Sequence, residues 1–313
     1  MNYIGVDLGG TNIVVGLVDE EGKIIKSISR PTVKERGVEP IFDDIFEMCN
    51  EIINEFGLDK TSLKGIGIGI PGTIDDKNGI IVYSNNIRID NFNVREYAKG
   101  RIDYPIRMAN DADSAALGEV VAGSAKGCSD AVVVTLGTGV GGGIIIGGKI
   151  YSGFYPGGAE IGHHIISVNG RQCSCGNKGC FEAYSSASAL ILAAQKKAEA
   201  NKDSALYKLV EGDLEKMTAK IPFDADQSGD AAGHEVIEEY LDYLAVGIAN
   251  IANVFKPEAI LLGGGVCKQG ENLTVPLTER VKKLAYGGDL RSEIKIASLG
   301  NDAGLIGAAM LNR

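Results

Sequence analysis

Residues 3–12, YIGVDLGGTN, set an apolar run directly before a glycine-rich turn. A second apolar run follows at residues 13–18 and a third at residues 23–28. Short apolar runs separated by tight turns predict a β-meander. Over residues 40–56 the apolar side chains recur every three to four positions, which predicts a helix that Gly57 ends.

The next segments extend this pattern into an α/β sheet. Glycine alternates with isoleucine over residues 65–70, which predicts a buried strand whose backbone is approached closely on one face. Residues 106–111 predict a short strand that leads into a helix at 112–122, with Asp111 at the junction. The opening third therefore has the order β-β-β-α-β, an α/β pattern with a mixed sheet.

A second strand–turn–strand unit begins near the middle of the chain. Residues 131–136 and 140–146 predict two strands around a Leu-Gly-Thr-Gly turn that resembles the turn at residues 8–11. We interpret this similarity as a duplicated architecture. Beyond it the sequence predicts helices at 185–200, 235–255, 278–286 and 303–311, strands at 259–262 and 293–297, and a partly helical excursion at 201–233.

Composition limits the class of protein. A chain of 313 residues predicts about two domains. The formal net charge of −10 disfavours a nucleic-acid partner, because phosphate neutralisation needs a basic surface. No apolar run approaches the ~20 residues of a membrane span, and the N-terminus has no signal-peptide pattern. We therefore expect a cytoplasmic protein with no membrane partner and no disulfide framework.

One segment carries a complete ligand set for a tetrahedral zinc ion. Three thiols and an imidazole stand close together in the sequence: His163, Cys173, Cys175 and Cys180. Four protein ligands make a closed structural zinc site. His164 adjoins the histidine ligand and is an alternative to it. Two carboxylates, Glu160 and Glu182, bracket the set, and we expect the metal to fold a loop that presents them, with His163, to a polyhydroxylated ligand.

Glycine-rich turns follow strands at three places: residues 9–12, 137–143 and 263–265. Such turns can direct several amide N–H groups at one anion, although each alone is also typical of an ordinary hairpin. Three of them together favour nucleotide binding. Asp7, at the end of a strand, is a candidate ligand for Mg²⁺. No Walker lysine follows any of the turns, which excludes a P-loop enzyme, and a dinucleotide fold is disfavoured.

Asp111 is the candidate general base. A carboxylate at the C-terminal end of a strand lies where α/β proteins collect their ligands. Phosphoryl transfer needs a base that accepts the proton of the attacking hydroxyl. The alternative is that Asp111 caps the helix that follows, since Asp is a favoured N-cap residue. Asp113 is a competing carboxylate that we favour less.

Taken together, these motifs resemble the ROK family of bacterial sugar kinases and related repressors. The resemblance extends from residues 7–11 to residues 303–309, and the Glu-Ile-Gly-His and Cys-x-Cys-Gly-x-x-Gly-Cys-x-Glu elements are specific to it. It implies a two-domain actin-like ATPase fold, of the ribonuclease H-like, sugar kinase and Hsp70 type, with a zinc-bound loop. We expect a smaller domain of residues 1–113 plus 301–313 and a larger one of 114–300, with the zinc loop at 163–182.

The resemblance also implies a function. It predicts a kinase that transfers the γ-phosphoryl group of ATP to the 6-hydroxyl of glucose, with Asp111 as base and with Mg²⁺ and structural Zn²⁺ as metals. The implied sugar ligands are Asn110, Asp111, Glu160, His163 and Glu182. The candidate nucleotide-binding residues are Asp7, Gly9, Gly10, Thr11, Asn12, Thr138, Gly139, Gly264 and Gly265. A homodimer with a role in glycolysis is expected.

Alternatives to glucose phosphorylation remain open. Kinases for N-acetylmannosamine, N-acetylglucosamine and fructose share the same motifs. A second class of protein, a non-catalytic sugar sensor, would keep the fold and the zinc loop. The family's repressors carry an N-terminal helix-turn-helix, which we do not expect here because the sequence starts with the first sheet strand. The presence of both Asp7 and Asp111 favours the kinase.

Overall fold

A computed structural model describes all residues from Met1 to Arg313. Its strands are β1 (Asn2–Leu8), β2 (Asn12–Asp19), β3 (Ile24–Pro31), β4 (Leu63–Ile70), β5 (Thr73–Asp75), β6 (Ile80–Ser84), β7 (Ile89–Asn93), β8 (Ile106–Asn110), β9 (Ala131–Leu136), β10 (Val140–Ile146), β11 (Lys149–Ile150), β12 (Ala259–Gly263) and β13 (Glu293–Ile296). Its helices are α1 (Val38–Glu55), α2 (Val94–Ala98), α3 (Asp111–Ala122), α4 (Glu182–Ser185), α5 (Ala187–Ala200), α6 (Ala205–Leu209), α7 (Ile221–Gln227), α8 (Ala231–Phe255), α9 (Glu271–Leu284) and α10 (Asp302–Met310).

The first five-stranded sheet has the order β3-β2-β1-β4-β8 and confirms the predicted meander and mixed sheet. Strand β1 pairs antiparallel with β2 and parallel with β4, and β4 pairs parallel with β8. The alternating glycines of β4 have a packing reason. A Cβ at Gly67 would lie 1.7 Å from the Ala308 carbonyl oxygen, so helix α10 packs directly on the strand backbone.

The second five-stranded sheet has the order β11-β10-β9-β12-β13. Each of its strands occupies the same position, in chain order, as its counterpart in the first sheet. Strand β12 pairs parallel with β13, as β4 does with β8. This matching order supports the duplicated architecture expected from the two glycine turns.

Two parts of the fold differ from the prediction. Helix α9 begins at Glu271 rather than Thr278 and contains Pro276 in its interior. The proline removes one backbone hydrogen bond, and burial of apolar side chains such as Leu273 and Leu277 overrides that cost. A separate three-stranded sheet, β5-β6-β7, was not predicted. Its strands are only three to five residues long, and β5 and β7 are interrupted by polar residues, so only β6 carries an apolar run.

The chain forms two compact units. The first comprises Met1–Ala131, Gly143–Ala159 and Ala297–Arg313, and the second comprises Val132–Gly142 and Glu160–Ile296. In the core of the first unit, the buried face of α1 packs with the apolar residues of β1, β2 and β4. None of the helices is long and apolar enough to cross a membrane.

Candidate active site

Two carboxylates of the first unit lie at the C-terminal ends of β1 and β8, the two strands that pair in parallel with β4 on either side of it. Asp7 lies near the end of β1, and Asp111 is the first residue of α3, directly after β8. Burial raises the pKa of Asp7 to about 6, and the charge of Asp111 adds to that rise. The protein packed around the Asp111 side chain also raises the pKa of that carboxyl group, although its tip is open to solvent. The two acids therefore share one electrostatic environment.

The N-cap of helix α3 is Asn110, which corrects the alternative that Asp111 caps this helix. The Asn110 Oδ1 atom accepts a hydrogen bond from the Ala112 amide at 2.8 Å. Its Nδ2 atom donates to the Gly72 carbonyl at 2.9 Å, which fixes the side chain. Asp111 accepts from the same Ala112 amide through Oδ1 at 3.0 Å, so Oδ2 is the oxygen free for chemistry. Asp113, the competing acid, is buried on the third position of the helix.

The first glycine turn is held at its ends and open at its centre. The Gly9 amide donates to the Asn12 carbonyl at 2.9 Å. The buried Thr32 ties both sides, because its amide donates to the Thr11 carbonyl at 2.7 Å and its hydroxyl to the Gly9 carbonyl at 2.8 Å. No atom lies within 4 Å of the Cβ position of Gly10. Sequence reasoning missed Thr32, which stands in no recognisable motif.

The second glycine turn is backed by a carboxylate. The Val140 amide donates to Glu182 Oε2 at 3.0 Å. A Cβ at Gly139 would lie only 2.3 Å from that same oxygen, so only glycine fits without displacement of the acid. Thr138, between the two glycines, is exposed. At the other side of the turn the Ala187 amide donates to the Gly137 carbonyl at 2.8 Å.

The third glycine turn packs against the end of β9. Gly264 has a φ of +95°, a conformation that favours glycine. A Cβ there would also lie 2.4 Å from the Leu136 carbonyl oxygen. Gly265 faces open space. The turn therefore holds the backbone at the end of β9 against the start of the short helical segment Gly265–Gln269, within the second unit.

The predicted metal ligands converge in the second unit. The four ligand atoms of His163, Cys173, Cys175 and Cys180 all lie within 4.8 Å of one another. Cys173 Sγ is 3.7 Å from His163 Nδ1, and Cys175 Sγ is 3.6 Å from Cys180 Sγ. Zn–S and Zn–N bonds of ordinary length give tetrahedral edges of about 3.6–3.8 Å. The donor set therefore fits a structural zinc ion.

The two adjacent histidines have different surroundings, and His163 is the one at the metal site. His164 directs Nδ1 at the Ile161 carbonyl, and its ring lies 5.1 Å from the ring of Phe181. Burial lowers the pKa of His164. His163 faces Cys173 through Nδ1, which leaves Nε2 for another ligand.

The side chain of Glu182 connects the metal loop (the zinc loop of residues 163–182) to the second glycine turn. Its Oε1 atom accepts from the Ser174 hydroxyl at 3.0 Å and lies 3.6 Å from Cys173 Sγ, while Oε2 accepts from the Val140 amide. The other bracketing acid, Glu160, is exposed, and its carbonyl accepts from the His163 amide at 3.0 Å. The sequence prediction did not include Ser174, although it stands between two metal ligands.

Two sheets of matching strand order, with glycine turns at the strand ends, define an α/β protein of the actin-like ATPase fold. The chain belongs to the ROK family, whose model matches residues 3–313. This confirms the family resemblance and the fold class that the sequence motifs predicted.

Several relatives of this chain are bacterial sugar kinases by name, and others are xylose repressors. A glucokinase of Thermotoga maritima is 38% identical, over 99% of this chain and 97% of its own. The crystal structure of a ROK family glucokinase from Streptomyces griseus in complex with glucose and AMPPNP is 35% identical, covers 99% of each chain and has a TM-score of 0.75. A ROK hexokinase from Thermus thermophilus is 30% identical, with a TM-score of 0.82, over 99% of this chain and 97% of its own.

Proposed function

We propose that this chain is an ATP-dependent glucose kinase that transfers the γ-phosphoryl group of ATP to the 6-hydroxyl. The observation that carries the proposal is Asp111, a carboxylate at a strand–helix junction with one oxygen uncommitted and a raised pKa. Its position beside Asp7 and a glycine turn is what a phosphoryl-transfer site requires. The names of the relatives from Thermotoga maritima and Streptomyces griseus support glucose as the acceptor and ATP as the donor.

In the proposed reaction Asp111 Oδ2 takes the proton of the sugar hydroxyl while the sugar oxygen attacks the γ-phosphorus. The bond from that phosphorus to the bridging oxygen breaks, and ADP leaves. A base whose pKa is raised towards the working pH accepts a proton more effectively, and such a base contributes about 10²–10⁴-fold to the rate. Asn110 holds the start of α3 in place through its cap and its bond to Gly72.

Each unit is proposed to supply binding groups. The amides of the turns at Gly10, Thr11, Thr138 and Gly139 would hold phosphate oxygens, and Gly264 and Gly265 would lie beside the nucleoside. Asp7 would hold Mg²⁺, which neutralises phosphate charge when bound. The sugar hydroxyls would form hydrogen bonds with the side chains of Asn110, Glu160, His163 and Glu182. Zinc would fix the loop that carries the last two of them.

The testing experiment is a coupled assay of ADP release with Mg-ATP against glucose, mannose, fructose, N-acetylglucosamine and N-acetylmannosamine. We expect the highest kcat/KM for glucose. A higher kcat/KM for an acetamido sugar or fructose would keep the mechanism and overturn the substrate. Glucose binding by calorimetry with no ADP release would overturn the kinase and favour the sugar sensor.

Three further expectations follow from the family resemblance: a homodimer, a cytoplasmic location and a role at the entry to glycolysis. Light scattering coupled to size exclusion tests the first. A mass near twice the 32.9 kDa of one chain is expected, and a mass of one chain would contradict it.

A further inference from the structure

A groove in the first unit lies at the C-terminal ends of α3 and α10, beside the β10–β11 hairpin. Its volume is about 970 Å³. That is the upper end of the size range of small-molecule sites, roughly 300–1,000 Å³. None of its lining residues is a candidate site residue of the kinase.

The groove has an aliphatic floor and a basic rim. Leu117 and Val120 of α3 are each 8% exposed and line the floor with Met310 and Leu311. The rim carries four exposed cations, Arg107, Lys126, Lys149 and Arg313, and no carboxylate side chain. This combination suits a molecule with an anionic group and an apolar part.

The excess of positive charge is modest and local. Arg107 Nε donates to Asp76 Oδ2 at 2.6 Å. Lys126 and Lys149 form no ion pair. Other acids lie nearby: Asp130 Oδ1 accepts from the amide of Gly147, a lining residue, at 2.7 Å. Glu20 and Glu21 line an adjoining depression, and Glu20 pairs with the terminal ammonium of Met1.

The carbonyl ends of α3 and α10 each add about half a negative charge. With Asp76 and Asp130 counted, they lower the excess on the rim to roughly one positive charge. The whole chain, in contrast, carries −10.

We propose that this groove binds a phosphate monoester with an apolar substituent. Lys126 and Lys149 would balance the phosphoryl dianion, with the guanidinium of Arg107 as a further donor. The organic part would cover Val120 and Leu311. A bare anion would use the rim alone, and a neutral alcohol would use the floor alone.

The groove is separate from the Asp7–Asp111 pair. Helix α3 starts at Asp111, and at 1.5 Å per residue Val120 lies about 13 Å further along its axis. Helix α10 likewise has one end at the acid pair and the other end at the groove. Its Gly304 lies against the Asp7 carboxylate, while Met310 at its other end lines the groove. A molecule in the groove therefore would not compete with nucleotide or sugar.

The test is calorimetric titration of the full chain with hexyl phosphate, inorganic phosphate and hexanol, at fixed ionic strength. We expect hexyl phosphate to bind at least tenfold more tightly than inorganic phosphate, and hexanol to give no saturable heat. Saturating glucose and AMPPNP should leave the hexyl phosphate affinity unchanged. Displacement by glucose and AMPPNP would place the ligand at the kinase site and overturn the proposal.

Variants of the rim and the floor separate the two contributions. We expect the Lys126→Glu/Lys149→Glu double variant to bind hexyl phosphate at least tenfold more weakly, and Leu311→Ser to reduce its advantage over inorganic phosphate. Both rim lysines are exposed, so the double variant should keep the wild-type Tm. Lys202→Glu/Lys208→Glu, at two exposed lysines of the second unit, is the charge-matched control. Equal affinity in the double variant and in this control would overturn the proposal.

Discussion

The two strand–turn–strand regions of this chain occupy equivalent positions in their sheets but differ in what supports the glycine turn. The first turn, after β1, is tied by Thr32 and leaves Gly10 open, with Asp7 just before it. The second turn, after β9, is backed by Glu182, which also contacts the metal loop. The same strand–turn–strand arrangement therefore has two acids, Asp7 and Asp111, beside its first turn. Beside its second turn it has one acid, Glu182, that also contacts the metal loop.

The region around the first turn suits a chemical role, and the region around the second turn suits a structural one. Around the first turn the pKa of Asp7 and that of Asp111 are both raised, so this region is suited to proton transfer and cation binding. Around the second turn both Glu182 oxygens accept hydrogen bonds from the chain, so this region is suited to fixed geometry.

The largest effect is expected at the acid pair. Asp111→Asn should lower kcat by about a thousandfold, because the amide cannot accept the hydroxyl proton, a step that contributes about 10²–10⁴-fold. Glucose affinity, measured by calorimetry, should change by less than about fivefold because the amide keeps the size and polarity of the acid. Asp103→Asn, at an exposed acid of the same unit, serves as the control. A kcat for Asp111→Asn within tenfold of wild type would exclude Asp111 as the base.

The next effect concerns the metal loop behind the second turn. Cys175→Ser should remove zinc, measured by elemental analysis, and weaken glucose binding by about 10–100-fold. Mutation of groups around a metal site costs about 10–100-fold in metal affinity or activity, and we expect a similar loss for the sugar that the loop positions. Cys128→Ser changes a thiol outside the ligand set and should retain the metal. Unchanged glucose affinity in a metal-free Cys175→Ser protein would show that the loop does not position the sugar ligands.

Matched glycine substitutions compare the two turns directly. Neither Gly10 nor Gly139 has a positive φ, so alanine is allowed by the backbone at both. A Cβ at Gly139 meets Glu182 Oε2 at 2.3 Å, and one at Gly10 meets nothing within 4 Å. Gly139→Ala should therefore lower the free energy of unfolding by about 1–3 kcal/mol. Gly10→Ala should change it by less than about 0.5 kcal/mol.

Urea unfolding of the two variants measures this difference. Equal destabilisation would mean that Glu182 moves aside without cost, and that the second turn is no more rigid than the first.

The sequence predicted most of the fold because its signals are local. The apolar run and turn at 3–12 and the helical spacing at 40–56 each depend on neighbouring residues alone. The clustering of the four candidate metal ligands was predictable for the same reason, since their spacing is short. Helix α9 was predicted to start too late because Pro276 disfavours helix locally, whereas packing of Leu273 and Leu277 is a tertiary effect.

The role of Thr32 and the contact of Glu182 with the second glycine turn escaped prediction because they depend on residues distant in the sequence. Thr32 closes a turn formed more than twenty residues earlier in the chain, and Glu182 reaches the Val140 amide across an even longer separation. The N-cap of α3 illustrates a closer ambiguity. Asn110 and Asp111 both favour the cap position, and only the backbone at the end of β8 determines that Asn110 takes it.

The smallest effect is a pH-dependent change in stability at the first turn. The pKa of Asp7 is raised from 3.8 to about 6, so the folded protein binds this proton more tightly than the unfolded chain does. Between these values stability falls as pH rises, because the unfolded chain ionises first. Above pH 6 the cost is complete and amounts to at most about 3 kcal/mol, at 1.36 kcal/mol per pKa unit.

Asp7→Asn removes that ionisation, so the variant should be more stable than wild type by about 1–3 kcal/mol at pH 7.5. At pH 5 wild-type Asp7 is mostly protonated when folded, and the advantage should fall to roughly half. Urea unfolding without nucleotide or Mg²⁺ measures both values, and Asp90→Asn, at an exposed acid of the same unit, is the control. An advantage that is equal at the two pH values would mean that Asp7 ionises normally. In that case the first turn would lack the electrostatic strain that distinguishes it from the second.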